Sequence, residues 1–206
     1  MKIKSTNFLM AIAIVAVFVA MANLVVTVNR INDLKYLTGY VTDTGTANLT
    51  IEASAAVNFT TDTINWGTGH VEDTYQYAVL DTEGTLTNSI GWDAVSSGLV
   101  LENIGNVNVS VNLTSSKNAA DFIGGGSGEI PDPTFKWKVS ESEANSCQGA
   151  TSITSYTEAT TISQLACSNM GYLDVADVLE IDLELNVPSD AIGVKGTIIT
   201  ATATAI

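Results

Sequence analysis

Fifteen residues from Phe8 to Ala22 are apolar without a break, and after Asn23 the run resumes through Leu24, Val25, Val26 and Val28. As a helix, Phe8 to Val28 rises about 31 Å, close to the thickness of the hydrocarbon layer of a bilayer. The apolar periodicity then changes but does not stop. Leu24, Val28, Ile31, Leu34 and Leu37 recur at spacings of three and four, one face of a helix, before Gly39 supplies a stop. The pattern therefore predicts one helix from about Phe8 to Thr38, roughly 46 Å long, part in lipid and part projecting as an amphipathic stalk. A second reading stays open. Ala20-Met21-Ala22 fits a small-x-small cleavage site behind a secretory signal, and the mature chain would then begin at Asn23.

From Gly39 onward the period shortens to two. Val107, Val109, Val111 and Leu113 alternate with Asn108, Ser110 and Asn112. Phe135, Trp137 and Val139 alternate with Lys136 and Lys138, and Leu179 to Val187 alternates with Glu180, Asp182, Glu184 and Asn186. Each is the signature of a half-buried strand. Ser97 to Glu102 reads as a strand joined to the first of these by the turn Asn103-Ile104-Gly105-Asn106, which predicts a hairpin. Thr46 to Glu52, Ala55 to Thr60 and Asp62 to Trp66 read as further strands, with a turn at Gly67, Gly69 and His70. Val194 to Ile206 reads as a long closing strand, free of charge on both faces after Lys195, and Gly124 to Gly128 as a flexible surface loop. No helical crossover interrupts the sequence of strands. The fold class expected is mainly β, an antiparallel β-sandwich of immunoglobulin-like or jelly-roll type, with one long N-terminal hydrophobic helix. Residues 1–38 form the helix and residues 39–206 the sandwich domain.

Charge sharpens this division. Residues 1–35 hold four cations against one acid, and residues 36–206 hold 21 acids against four lysines. Lysines ahead of the apolar run and an acidic body behind it place the N-terminus inside and the body outside, by the positive-inside rule. The net charge of −14 excludes nucleic acid as a partner, because phosphate binding needs a basic footprint. A chain of 46% hydrophobic residues is too apolar for intrinsic disorder.

Candidate chemistry is sparse. His70 is the one histidine; Asp73 stands near it, but no Gly-x-Ser-x-Gly elbow accompanies it, so a catalytic triad is not indicated and no enzyme is expected. Asp81, Glu83, Asp121, Glu129, Asp132, Glu141 and Glu143 cluster around glycines and turns. They read either as a structural calcium site or as solvated surface charge, without the spacing of a calcium loop. No other cofactor or metal is expected. Cys147 and Cys167 both fall in the exported part, where an even pair most simply forms a disulfide; two free thiols in apolar strands are the alternative. Sequons occur at Asn48, Asn58, Asn108 and Asn112, candidates for N-glycosylation in an exported chain.

The order of Lys4-Ser5, an apolar helix from Phe8, its continuation to Leu37 and a Thr/Asn-rich β-sandwich resembles archaeal type IV pilins and archaellins. The resemblance implies processing by a prepilin peptidase between Ser5 and Thr6. It also implies N-terminal helices bundled into a filament core with the β-domains outside. Met10 stands fifth after that cut, where bacterial type IV pilins carry a glutamate. The Val187-Pro188-Ser189-Asp190-Ala191 turn and the Thr-rich strand after it resemble immunoglobulin-like domains of prokaryotic surface proteins. Phe8, Ile12, Val15, Val19, Ala22 and Val26 follow one another at spacings of four and three and form the candidate assembly face. Ala11, Ala13, Ala16, Ala20 and Ala22 permit close helix approach. Expected partners are second copies of the chain through these helices, and the membrane before assembly. The alternative is a singly anchored surface module that binds a glycan or protein.

Overall fold

A computed structural model describes residues 5–37 and 49–206. The chain divides into two compact units between Thr50 and Ile51; the expected boundary at Gly39 and the candidate Asn48 lie outside the described residues.

In the first unit, α1 (Ser5–Leu37) is a single helix of 33 residues, about 50 Å long. Val and Ile make poor helices in water, where their χ1 freedom is lost. In an apolar medium every backbone N–H and C=O must be paired within the segment, and a helix does this regardless of side-chain preference. The one hydroxyl inside the apolar stretch follows the same logic: Thr27 Oγ1 donates to the Asn23 carbonyl at 2.8 Å.

The second unit is all antiparallel. Its strands are β1 (Val57–Thr61), β2 (Gly67–Val71), β3 (Tyr77–Asp81), β4 (Leu86–Thr87), β5 (Ser89–Trp92), β6 (Leu99–Asn103) and β7 (Val109–Ser115). A four-residue helix, α2 (Ala119–Phe122), follows, then β8 (Thr134–Glu141), β9 (Thr157–Glu158), β10 (Gln164–Met170), β11 (Val178–Pro188) and β12 (Ile199–Ala205). The 11-residue β11 organises the larger sheet. One edge pairs along its length with β8, and β9 lies beyond. The other edge pairs first with β6, which carries β1, and then with β3, which carries β4. The smaller sheet is β10-β7-β12, and β2-β5 is a separate two-stranded ribbon.

The two larger sheets share one core. Val109, Val111 and Leu113 of β7 are fully buried in the same cluster as Phe135 and Trp137 of β8 and the Leu179 to Leu185 row of β11. Phe122 of α2 packs edge-on against Phe135 at 5.1 Å, and Phe135 meets Trp137 at 6.2 Å. The buried rows are those expected from the period-2 alternation, and the sandwich follows because both sheets turn their apolar rows to one interior.

Several expectations are corrected. β6 and β7 are not a hairpin: β6 pairs with β1 and β11, while β7 pairs with β10 and β12. The turn between them carries the chain from one sheet to the other. Buried Asn103 fastens it, donating to the carbonyls of Val107 (3.0 Å) and Gly171 (2.7 Å) and accepting from Gly105 N. Alternation fixes which face of a strand is buried but not which strand lies beside it.

The described part of Thr46–Glu52 is not strand, and neither is Asp62–Trp66. The strand lies instead at Gly67–Val71, where a turn was expected, because β2 needs glycine to approach β5. A Cβ on Gly69 would stand 2.6 Å from the Ile90 carbonyl oxygen. Only Ile199–Ala205 of the expected closing strand is paired, as the edge strand of its sheet, with its threonines exposed. The Gly124–Gly128 segment is not left loose. Asp190 clamps it, accepting from Gly126 N at 2.7 Å and from the Ser127 backbone and hydroxyl at 3.1 and 2.6 Å. These bonds hold the Asp190 carboxyl below its usual range, the Ser127 hydroxyl contributing most.

Candidate functional site

Three features of the described residues could carry function. On α1, the 23 residues Phe8–Arg30 are long and apolar enough to cross a membrane. Phe8, Leu9 and Met10 are consecutive, hence about 100° apart around the axis, and all are exposed, as are Val17, Phe18 and Val19. The candidate assembly residues Phe8, Ile12, Val15, Val19, Ala22 and Val26 are exposed, but so are their flanks. The apolar surface is thus a whole cylinder and not a single stripe. Ser5 and Thr6 open the helix, so the processing bond implied by the resemblance falls within its first turn.

On the β-body, a cavity of about 800 Å³ opens on the side of the sandwich. Trp66 and Trp92 line it together with Phe59 of β1, Leu183 and Leu185 of β11, and the segment Gly193–Ile199 before and into β12. Trp66 is held in place by its indole N–H, which donates to the Asp81 carbonyl at 3.3 Å. Asp62, Asn65 and Lys195 contribute charged and amide side chains to its lining. The lining runs from Phe59 to Ile199 and joins residues far apart in sequence, so no local motif announced it.

The third feature is a charged ladder on the outer face of the larger sheet. Lys136 pairs with Glu184 across β8 and β11 at 3.0 Å. Lys138 pairs with Glu83 at 2.7 Å, lies 3.8 Å from Asp182 and sits over the Tyr156 ring at 4.9 Å. Tyr156 donates its hydroxyl to Glu83 at 3.1 Å. The Lys138 and Tyr156 hydrogen bonds hold the Glu83 carboxyl below its ordinary range, and Glu83 raises Lys138 in return. Burial, and next the bond to Glu83, pushes the Tyr156 phenol well above its normal value. Asp182 is raised by burial, against the lowering bond from Thr82 Oγ1 at 2.9 Å. Every charge here has a partner, which makes the ladder a cross-strand fastening.

The other sequence candidates are dispersed. His70 is exposed on β2 and not in a turn. Several acids considered for calcium are committed to backbone N–H groups: Asp81 to Glu83 and Thr85, Glu141 to Asn145 and Cys147, and Glu143 to Asp177. Among the described residues no three His, Cys, Asp or Glu side chains stand together as a metal-binding group. Cys147 and Cys167 are joined, with their Cα atoms 5.8 Å apart, and fasten the 147–163 excursion to β10 at the buried Cys167. Asn58 is exposed on β1, Asn112 is half-buried at the centre of β7, and the Asn108 amide donates to Asn169 at 2.8 Å. Of these three sequons, Asn58 is the most accessible. No family model, no curated protein and no solved structure matches the chain.

Proposed function

We propose that this chain is a structural subunit of an extracellular filament of the archaeal pilus or archaellum kind. In this reading α1 is held first by the membrane and then by the α1 helices of neighbouring copies, while the β-body coats the outside. One observation carries it. Apolar side chains are exposed all around α1 over 23 residues, yet the helix runs on unbroken to 33. A bilayer accounts for about 20 of these residues, and such a cylinder is stable only in lipid or among similar helices. Ala11, Ala13, Ala16 and Ala20 let helices pack closely, and no charge lies between Lys4 and Arg30 to oppose it. The acidic body suits the exterior of an assembly that must stay dispersed in water, and the disulfide suits an oxidising compartment.

Shearing cells and sedimenting the released appendages tests the proposal. The protein is expected as the main component of the sheared fibres. Recovery wholly as monomers in the membrane fraction refutes it. A singly anchored surface module is the second reading, favoured by the tryptophan-lined groove. Two indole faces beside Asp62 and Asn65 suit a glycan or a peptide, and this reading predicts membrane-bound monomers with a soluble ligand in that groove.

A further inference from the structure

The smaller sheet is electrically silent. None of the 21 residues in β10, β7 and β12 is charged, whereas nine charged residues lie in the strands of the larger sheet. In a chain of net charge −14, this sheet lets two copies approach without bringing carboxylates together. It ends in β12, whose outer edge has no strand partner among the described residues. β1 is the neighbour of β12 from the other sheet, and it makes no backbone hydrogen bond to it. Natural edge strands are usually blunted by lysine, proline, a bulge or short length. β12 has none of these: seven residues, about 23 Å, pair with β7 in unbroken register.

The outward row of this edge also reads the same in both directions. Ile198, Thr200, Thr202, Thr204 and Ile206 form the exposed row, symmetric about Thr202. Ile198 and Ile206 at its ends are 69% and 65% exposed. We propose that β12 pairs antiparallel with β12 of a second copy about a two-fold axis at Thr202, joining two three-stranded sheets into one of six. Antiparallel pairing in that register sets Thr202 against its own counterpart, Thr200 against Thr204, and Ile198 against Ile206. The free backbone groups of both edges are satisfied and the exposed isoleucines cover each other. A two-fold contact requires such a self-complementary surface. The contact uses the β-body alone and is independent of how α1 assembles.

Single cysteines in the full chain, purified in detergent micelles, test the register. The native cysteines are bonded to each other, so an introduced thiol is the reactive one. Under mild oxidation, Thr202→Cys is expected to form a disulfide-linked dimer in several-fold higher yield than Thr161→Cys, an exposed position outside the edge. Thr200→Cys and Thr204→Cys are each expected to stay at the control yield alone and to cross-link when mixed. The inference is overturned if Thr202→Cys gives only the control yield, as when copies meet through α1 alone. It is equally overturned if Thr200→Cys links to itself as readily as Thr202→Cys does.

Discussion

Replacing both cysteines by alanine isolates what the Cys147–Cys167 bridge contributes. The bond spans 20 residues, and the chain-entropy relation gives about 3 kcal/mol for a loop of that size, through restriction of the unfolded chain. The folded geometry does not depend on the bond alone. Cys147 N donates to the Glu141 carboxylate, Gln148 N to the Asn169 carbonyl, Ser168 N to the Ala150 carbonyl and Gly171 N to the Ser146 carbonyl, so hydrogen bonds hold residues 146–150 against 168–171 beside the bridge. The variant should therefore keep its fold and lose stability. All three tryptophans lie in the β-body, so their fluorescence in micelles reports on that unit and not on α1. The urea midpoint is expected to fall by about 1 to 2 M, with the folded-state spectrum unchanged. A fall corresponding to less than about 1 kcal/mol refutes the entropic assignment. Loss of the native spectrum in the absence of urea refutes the claim that hydrogen bonds hold the excursion.

Other perturbations separate the remaining contributions. Val19→Arg places a charge at the middle of the apolar stretch, costing about 3 kcal/mol in the membrane, and should abolish sheared fibres. Ala16→Trp should abolish fibres while leaving the protein in the membrane fraction, because it obstructs helix packing without adding charge. Gly69→Ala drives a Cβ against the Ile90 carbonyl and should lower the melting midpoint of the β-body, at a cost of about 1 to 3 kcal/mol. Asp177 is buried, and burial first, then Glu143, Glu102 and Asp174, raises its carboxyl above the ordinary aspartate range. A raised folded-state value means that Asp177 favours folding while protonated and that this contribution is lost as pH rises through that value. Asp177→Asn should therefore raise the melting midpoint at pH 7, with the gain vanishing below about pH 4. A gain unchanged by pH contradicts this.

Much of the architecture was legible because burial imposes periodicity. In β8 and β11 one face meets the core and the other meets water, so the alternation from Phe135 to Val139 and from Leu179 to Val187 marked both strands and their inward rows. The same signal marked the inward row of β7 but could not tell a hairpin from a crossing between sheets, since both keep that row buried. Of the glycines that read as a turn, Gly69 is required by close approach to β5, a contact with residues more than 20 positions away, and Gly67 by its positive φ of 72°. Thr46–Glu52 read as a strand, yet among its described residues no strand forms, and the backbone at Glu52 and Ser54 bonds instead to Asn106. The groove between Trp66, Trp92 and the Gly193–Ile199 segment was beyond local reading, because its walls come from separate parts of the chain.

Whether α1 is the core of a filament turns on the mass of the mature N-terminus, measured on protein released by shearing. A chain that begins at Thr6, keeps α1 from there onward and is recovered from fibres bears out the filament reading. A chain beginning at Asn23 and recovered as dissolved monomers would have lost most of the apolar cylinder, and would contradict it.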